Sequence, residues 1–373
     1  MLFASFHRLV AAHRHPLLYL SYPSYSCRYT SRYRRLLSVD RTVMDSSAPI
    51  VLYLSGRTAA EMEVAESMVI RGDCLRLPDD GEVKLVLNSD VERQCSKKTF
   101  NVDEFLKRLS TKQFGRFVAW SPRLPSTHDV VSHNFSELPI GTVCVADLQY
   151  KGRGRSKNVW ASPVGCLLFS FTIQMDDGRI VPLLQYVISL AITEAVKEIC
   201  DKNGLPYLDL RIKWPNDIYL NGLKVGGILC TSSYKSKKFN VSAGIGLNVH
   251  NNEPTICLNK VLRELSHSSY EFSREEMLGA FFNKFEELYD KFIHEGFQTL
   301  EELYYRTWLH SGQRVIVQDK SEGQVIENVV TIQGLTPSGY LLAFGDDGQL
   351  SELHPDGNSF DFFKGLVRRK FDG

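Results

Sequence analysis

Basic residues and glycines alternate in the segment KGRGRSKNVW, residues 151–160. The four cations are Lys151, Arg153, Arg155 and Lys157. No acidic residue occurs at positions 148–175 to neutralise them. In an extended chain all four would project to one side, because side chains two residues apart share a face, and the glycines would let the backbone approach a ligand closely. The segment therefore predicts a phosphate or carboxylate site, since guanidinium groups bind these anions with paired hydrogen bonds; a solvated basic turn is the alternative.

A hairpin is predicted in the segment KWPNDIYLNGLKVGGIL, residues 213–229. Asn221-Gly222 is the dipeptide typical of a type I′ turn between two strands. Such a turn would bring Asp217 and Lys224 together across the hairpin, where two glycines leave room beside them. Taken singly, the tryptophan of this segment is more typical of a core and the lysine of a solvated surface. The prediction of a site depends on their combination.

Two shorter segments accompany these, namely PSTHD at 125–129 and the glycine-containing strand end SAGIGLNV at 242–249. By order and spacing the four segments resemble those of the biotin–protein ligases, also called holocarboxylase synthetases. The resemblance extends from about residue 116 to residue 311. It implies an enzyme that activates biotin with ATP and Mg²⁺, giving biotinyl-5′-AMP and pyrophosphate. The biotinyl group would then pass to one lysine of a biotin carboxyl carrier domain, in carboxylases of the acetyl-CoA and methylcrotonyl-CoA type.

The resemblance also implies roles for individual residues. Those that would bind biotin are Ser126, Thr127, His128, Gln149, Gly152, Arg153, Gly154 and Gly227. Those that would contact ATP are Arg155, Trp160, Asn216, Lys224 and Asn248. Catalysis would rest on Arg155, Lys224 and Asp217, because fixed positive charge lowers the repulsion between two reacting anions. Asp217 would also hold Mg²⁺, which prefers a few protein oxygens together with substrate phosphate.

The chain departs from the family pattern at two positions. Bacterial members often carry a further arginine where Asn158 stands here, and Lys157 would replace its charge only in part. Many relatives have asparagine where His128 stands, so this histidine is either a biotin contact or a structural loop residue.

Length and composition disfavour several other classes of protein for this chain. The chain has 373 residues, 43% hydrophobic and 23% charged, which is typical of a globular protein of two or more domains. A formal net charge of +1 disfavours an RNA-binding module, the non-enzymatic alternative. The sequence contains no run of 18 apolar residues, no C-x-x-C pair and no P-loop motif, so neither a membrane span, a zinc site nor a P-loop nucleotide site is predicted. A lipoate or octanoate ligase of the related fold is the closest enzymatic alternative.

The first 39 residues contain six arginines, six serines and no acidic residue. This composition is typical of an organellar transit peptide, and we predict one over residues 1–44, directed to chloroplasts, mitochondria or both. Met44 precedes the polar start Asp45-Ser46-Ser47, so initiation there would give a cytosolic form. The expected protein is thus an organelle-targeted eukaryotic member of the family.

We predict an α+β fold in three further parts. Residues 45–115 would form an N-terminal α/β extension, with no convincing DNA-recognition helix. Residues 116–311 would form the biotin and ATP domain, a mixed sheet with flanking helices as in class II aminoacyl-tRNA synthetases. Its predicted elements are strands at Val143–Leu148, Cys166–Met175, Asn216–Leu220 and Leu223–Leu229, and helices over Val181–Asn203 and from Ser273 to about His294. Residues 312–373, rich in short strands and turns, would form an SH3-like β-barrel.

Overall fold

The structure is a computed structural model. It describes residues 50–72, 74–78, 83–90, 99–251, 253–266, 268–321, 324–346, 348–355, 358–361 and 364–369. The predicted transit peptide and Met44 lie outside the described residues. Within the described part, no helix is both long and apolar enough to cross a bilayer.

The described residues form fifteen strands and seven α-helices. The strands are β1 (Ile50–Gly56), β2 (Val83–Leu87), β3 (Phe117–Ser121), β4 (Val143–Ala146), β5 (Cys166–Met175), β6 (Leu210–Lys213), β7 (Asp217–Leu220), β8 (Leu223–Lys235), β9 (Lys238–Asn248), β10 (Arg314–Ser321), β11 (Gln324–Leu335), β12 (Leu341–Gly345), β13 (Leu350–Leu353), β14 (Asn358–Asp361) and β15 (Leu366–Arg369). The helices are α1 (Ala59–Arg71), α2 (Val102–Arg108), α3 (Thr127–His133), α4 (Leu184–Asn203), α5 (Leu258–Leu265), α6 (Arg274–Glu295) and α7 (Gln298–Thr307).

A nine-stranded mixed sheet carries most of the molecule, in the order β2-β1-β3-β4-β5-β9-β8-β7-β6. Its two first strands come from the segment predicted as a separate extension. β1 pairs antiparallel with β3, so that Tyr53 lies opposite Trp120, and β2 pairs parallel with β1. The backbone hydrogen bonds therefore run without a break from the N-terminal segment into the sheet that holds the site. The domain boundary near residue 115 stays a prediction.

Both faces of the sheet are covered, and alternate residues of one strand reach two different cores. Val143 and Val145 of β4 belong to the larger core, which α2, α4, α6 and α7 complete. Cys144 and Ala146 belong to the smaller core, which α1 and α3 complete. This explains why β4 reads as a continuous apolar run, since a strand buried on both faces has no polar side.

Most predicted elements are present, with shifted ends. β5 has the predicted bounds, whereas the long helix begins at Leu184 because Val181–Leu183, which contains a proline, forms a 3₁₀ turn. β8 continues six residues beyond the predicted end, paired with β9 up to a second hairpin turn. At the start of α6, the Ser273 hydroxyl accepts from the backbone N–H of Glu276, while the Glu276 carboxylate accepts from the Tyr270 hydroxyl.

The C-terminal part is a second sheet of six strands, in the order β13-β12-β11-β10-β15-β14. It is antiparallel except for the parallel pair β10 and β15. Buried polar contacts join it to the larger sheet, because the Gly339 carbonyl accepts from the Tyr186 hydroxyl at 2.5 Å and from Trp214 Nε1 at 3.3 Å. A mixed sheet with helices and a smaller C-terminal sheet confirms the predicted α+β class.

Candidate active site

One cavity gathers most of the predicted site residues. It has a volume of about 320 Å³ and lies between the start of α3, the basic segment 151–160 and the hairpin of β7 and β8. The predicted residues that line it are Ser126, Thr127, His128, Gln149, Arg153, Gly154, Arg155, Trp160, Asn216, Asp217, Lys224 and Gly227. Gly152 lines an adjoining cleft, and Asn248 lines neither space.

The start of α3 and the end of β4 meet through one glutamine. Gln149 Oε1 accepts from the Thr127 backbone N–H at 2.7 Å and from its hydroxyl at 3.0 Å. Gln149 Nε2 donates to the Ser162 hydroxyl at 3.0 Å, and the Thr127 hydroxyl also contacts that of Ser170 at 2.8 Å. These bonds fix the amide and hydroxyl groups in one orientation at the wall of the cavity. A polar ligand would meet groups that are already ordered.

The basic segment is a compact turn, which corrects the extended conformation considered above. The Gly154 N–H donates to the Asn158 carbonyl at 2.8 Å, and the Trp160 N–H donates to the Gly152 carbonyl at 3.0 Å. Between them Ser156 has a φ of 52°, in the left-handed region. The chain folds back on itself because the glycines permit close contacts: a Cβ on Gly152 would lie 2.5 Å from the Trp160 carbonyl oxygen. The four cations therefore do not share one strand face.

Arg155 is held between the hairpin and the C-terminal part. Its Nη1 donates to Asn216 Oδ1 at 3.2 Å, and its Nη2 donates to the Pro355 carbonyl at 3.2 Å. Asn216 is itself oriented by the bond from its Nδ2 to the Ile228 carbonyl at 2.6 Å. The guanidinium of Arg155 thus lies at the cavity with its plane fixed by neutral acceptors.

Arg153 has a different environment. Its Nε lies 2.8 Å from Asp129 Oδ1 and 3.0 Å from Oδ2. The Asp129 side chain is 4% exposed, whereas that of Arg153 is 51% exposed. The aspartate was part of the motif quoted from the sequence, yet it was given no role there.

The hairpin brings Asp217 and Lys224 together as predicted. Lys224 Nζ lies 2.6 Å from Asp217 Oδ1, and Lys213 Nζ lies 3.9 Å from Oδ2 of the same carboxylate. Asn221 and Gly222 both have positive φ, as a type I′ turn requires. A bulge at Val225 shifts the pairing, so that Lys224 lies opposite Tyr219 and on the face of Asp217. One carboxylate and two ammonium groups therefore stand at this end of the cavity.

Trp160 packs closely against the backbone of β8 and β9. A Cβ on Gly246 would be 2.3 Å from Trp160 Nε1, and one on Gly227 would be 3.3 Å from the same indole ring. Lys224 Nζ lies 5.4 Å from the ring centroid, within range of a cation–π interaction. Glycine at these two positions is what allows a flat aromatic surface to border the charged end of the cavity.

His128 is buried and neutral near pH 7. Burial and, secondarily, the charge of Arg153 lower the pKa of His128 to about 4. Its Nε2 lies 3.1 Å from the Thr231 hydroxyl. The imidazole therefore presents a neutral polar edge beside α3 and adds no charge to the site.

Two family models and several known proteins match this chain. A model described as the biotin/lipoate A/B protein ligase family matches residues 120–248, and the biotin protein ligase C terminal domain matches residues 310–365. The chain is 62% identical over 340 residues to biotin–protein ligase 1, chloroplastic, of Arabidopsis thaliana, covering 91% of this chain and 92% of that protein. The chain belongs to the biotin–protein ligase family. This confirms the predicted family and enzyme class, an ATP-dependent biotin–protein ligase.

Two more distant relatives are also similar to this chain. The biotin–protein ligase of Homo sapiens is 34% identical over 74% of this chain and 38% of its own length. A solved structure, the biotin protein ligase from Aquifex aeolicus in complex with biotin and ATP, is 26% identical, with a TM-score of 0.50 over 63% of this chain and 94% of that one.

Asn248 is placed differently from the other predicted nucleotide contacts. It is 2% exposed, and its amide donates to the Thr255 hydroxyl at 3.0 Å and to the Ile256 carbonyl at 3.1 Å. Its Oδ1 accepts from the Cys166 thiol at 2.9 Å. In this structure Asn248 joins the end of β9 to the loop that carries Thr255, whose hydroxyl in turn donates to the Lys224 carbonyl. Its direct contact with the nucleotide stays a prediction.

Sequence reasoning missed four contributors to the site. They are Asp129, Lys213, Gly246 and the Pro355 carbonyl. The first three lie inside segments already quoted, so an acidic residue near the biotin motif and a second lysine four positions before Asp217 were available signals. Pro355 had no local signal, because a backbone carbonyl 200 residues from Arg155 is brought there by tertiary structure alone.

Proposed function

We propose that this chain joins biotin to ATP and then transfers the biotinyl group to a protein lysine. In the first step a biotin carboxylate oxygen attacks the α-phosphorus, an O–P bond forms, and the bond to pyrophosphate breaks. In the second, the neutral lysine amine attacks the acyl carbon, the amine loses its proton, and AMP leaves. The observation that carries the proposal is the meeting of Arg155, Lys224 and Trp160 in one cavity with the ordered polar wall of α3.

The charged end of the cavity suits the first step. Two anions must approach each other, and preorganised cations lower that barrier without reorganising at the moment of reaction. Arg155 is fixed by neutral acceptors, and Lys224 stands between Asp217 and the Trp160 ring. We assign these two cations to the phosphate whose charge increases, and Trp160 with Asn216 to the nucleotide.

The other wall suits biotin. Ser126, Thr127, His128 and Gln149 offer neutral hydrogen-bonding groups, as the ring of biotin requires, and Gly227 leaves space opposite them. Arg153 stands at the junction of the cavity with the adjoining cleft, where it would meet the carboxylate. Gly152 and Gly154 would act indirectly, because they allow the compact turn that carries Arg153.

Magnesium fits this donor set as a partner of the nucleotide. Asp217 is the single carboxylate among the described residues that line the cavity. In the part of the chain that the structure describes, no cluster of three or more histidine, cysteine, aspartate and glutamate side chains is suited to a metal ion. Mg²⁺ commonly takes one or two carboxylates plus substrate phosphates, so Asp217 would hold an ion carried by ATP. The bound ion would neutralise phosphate charge; Lys213 and Lys224 hold the carboxylate in place.

The acceptors we propose are biotin carboxyl carrier domains of carboxylases of the acetyl-CoA and methylcrotonyl-CoA type. Incubation of such a domain with the chain, biotin and ATP should add one biotinyl group, detected by intact-protein mass spectrometry. A carrier with its target lysine changed to arginine is the control and should gain no mass. An unmodified wild-type carrier, with enzyme that forms adenylate, would remove the transfer step from the proposal.

We further infer a division into four parts. Residues 1–44 would be a transit peptide, 45–115 an extension, 116–311 the biotin and ATP domain, and 312–373 a C-terminal SH3-like barrel. The leader composition and the 62% identity to a relative named as chloroplastic support import into chloroplasts. Import into mitochondria and a cytosolic form from Met44 are separate outcomes of the targeting experiment described below.

A further inference from the structure

The ion pair between Asp129 and Arg153 has a geometry that matters for ligand binding. Arg153 contacts both carboxylate oxygens through Nε alone. A guanidinium has five N–H donors in one plane, so this contact fixes the plane and leaves the four terminal N–H groups for another acceptor. Arg153 borders both the cavity and the adjoining cleft.

Burial makes this contact difficult to exchange. The Asp129 side chain is 4% exposed, and a carboxylate removed from water is unfavourable unless a cation compensates it. The carboxylate is carried by α3, whose Val130 and Val131 pack into the smaller core. Arg153, in contrast, lies on a glycine-flanked turn and would have many side-chain rotamers without a partner. The packing of α3 therefore fixes Asp129, and Asp129 in turn restricts the side chain of Arg153.

We propose that Asp129 is a positioning residue, which holds the Arg153 guanidinium so that its terminal nitrogens face the biotin carboxylate. This rests on the proposed function. The aspartate does not touch the ligand; it reduces the entropy that Arg153 loses on binding. A carboxylate is needed because an amide would leave the charge of Arg153 without a fixed counterion in a turn that already carries four cations.

A competing mechanism predicts the opposite change in biotin affinity when Asp129 is neutralised. If Asp129 withheld Arg153 from the ligand, its neutralisation would release the arginine and tighten biotin binding. If Asp129 positions Arg153, neutralisation weakens biotin binding and leaves ATP binding alone. The direction of the change therefore decides between the two.

The test uses biotin-dependent pyrophosphate exchange with full-length protein carrying Asp129→Asn. We expect the KM for biotin to rise on the order of tenfold, the usual effect of losing a charge-assisted hydrogen bond, with the KM for ATP unchanged. Asp177→Asn is the matched control, because Asp177 pairs with Arg179 through the same groups on the exposed surface. An unchanged or lower KM for biotin in Asp129→Asn would overturn the proposal. Loss of biotin-dependent exchange in the wild type would instead refute the proposed function.

A double-mutant cycle separates positioning from a purely structural effect. In an Arg153→Ala background, Asp129→Asn should add no further rise in the KM for biotin, because its effect passes through the arginine. The same rise in both backgrounds would show that Asp129 acts on the fold. If Asp129→Asn fails to fold, Arg153→Lys still tests the idea. It keeps a cation beside Asp129 but removes the planar terminal nitrogens, so a wild-type KM for biotin in this variant would contradict the proposal.

Discussion

At the scale of single residues, the site depends on cations whose positions are fixed before any ligand arrives. Arg155 is oriented by two neutral oxygens, and Lys224 by a carboxylate and an aromatic ring. Neither arrangement requires large rearrangement when a phosphate enters. Preorganised charge of this kind is usually the largest contribution to catalysis of such reactions.

Replacing either cation should therefore be costly for adenylate formation. Lys224→Ala and Arg155→Ala should each lower the rate by on the order of 10²–10³, the typical loss for one preorganised electrostatic donor. Lys235→Ala, at the exposed far end of the same strand as Lys224, should remain at the wild-type rate. The measurement is pyrophosphate exchange at saturating biotin and ATP, with circular dichroism to confirm folding. Near-wild-type exchange in either cavity variant would remove that residue from the mechanism.

Residues could be placed from the sequence where local chemistry determines the geometry. The Asn221-Gly222 turn predicted that Asp217 and Lys224 meet, and they lie 2.6 Å apart. The bulge at Val225 has no clear sequence signal, although it sets which face Lys224 occupies. The contact of Arg155 with Pro355 could not be predicted, since it depends on how the second sheet packs against the first.

At the scale of elements, one buried histidine joins the strand before the site to the C-terminal part. His310 Nε2 accepts from the Trp214 backbone N–H at 2.9 Å, so Nδ1 carries the proton and donates to Gln313 Oε1 at 3.0 Å. The residue is 0% exposed. Burial first, and then the charge of Lys213, lower the pKa of His310 to about 4.

This histidine should make stability depend on pH in acid. Because its folded pKa lies below the unfolded value of about 6.5, the unfolded state takes up the proton first. The stabilising contribution is thus complete above about pH 6.5 and is lost as the pH falls towards 4, up to about 3 kcal/mol. His310→Gln keeps an acceptor for Trp214 and should show a shallower fall of the unfolding free energy between these pH values, measured by urea titration. The exposed His294→Gln is the control, and equal slopes in His310→Gln and wild type would contradict the assignment.

The sequence predicted most helices and strands of the central region, but it did not predict where several of them begin or end. Apolar residues three and four positions apart predicted α4. The observed helix is three residues shorter at its start, because Val181–Leu183, which contains a proline, forms a 3₁₀ turn instead. The polar end of β8 gave no strand signal, because Thr231 to Lys235 are exposed and are held mainly by pairing with β9. The proline thus set the start of α4, whereas pairing with β9, which the sequence does not display, set the end of β8.

At the scale of the whole molecule, the N-terminal segment is part of the catalytic sheet. β1 pairs with β3, and the Asn134 side chain at the end of α3 bonds to both the N–H and the carbonyl of Arg76 at 2.7 and 2.8 Å. The helix that carries Thr127 and His128 is thereby packed between the site and this segment. The sequence predicted an α/β extension here but could not show that its strands extend the same sheet.

The N-terminal leader is expected to target the protein to an organelle. Residues 1–43 fused to a fluorescent reporter should direct it to chloroplasts, and a chain that starts at Met44 should stay in the cytosol. The reason is the arginine- and serine-rich, acid-free composition of the first 39 residues. Confocal imaging with plastid and mitochondrial markers distinguishes the compartments. A reporter that remains cytosolic would refute the transit peptide, and one found only in mitochondria would refute the chloroplast assignment.

Biotin is the acid that we propose this cavity activates. The most direct measurement is the exchange of labelled pyrophosphate into ATP by the purified chain, with biotin, lipoate or octanoate as the acid. We predict rapid exchange with biotin and background exchange with the other two, because the neutral polar wall of Ser126, Thr127 and Gln149 matches the ring of biotin and an aliphatic chain leaves it unpaired. Exchange that does not depend on biotin, or that is faster with lipoate or octanoate, would contradict the account.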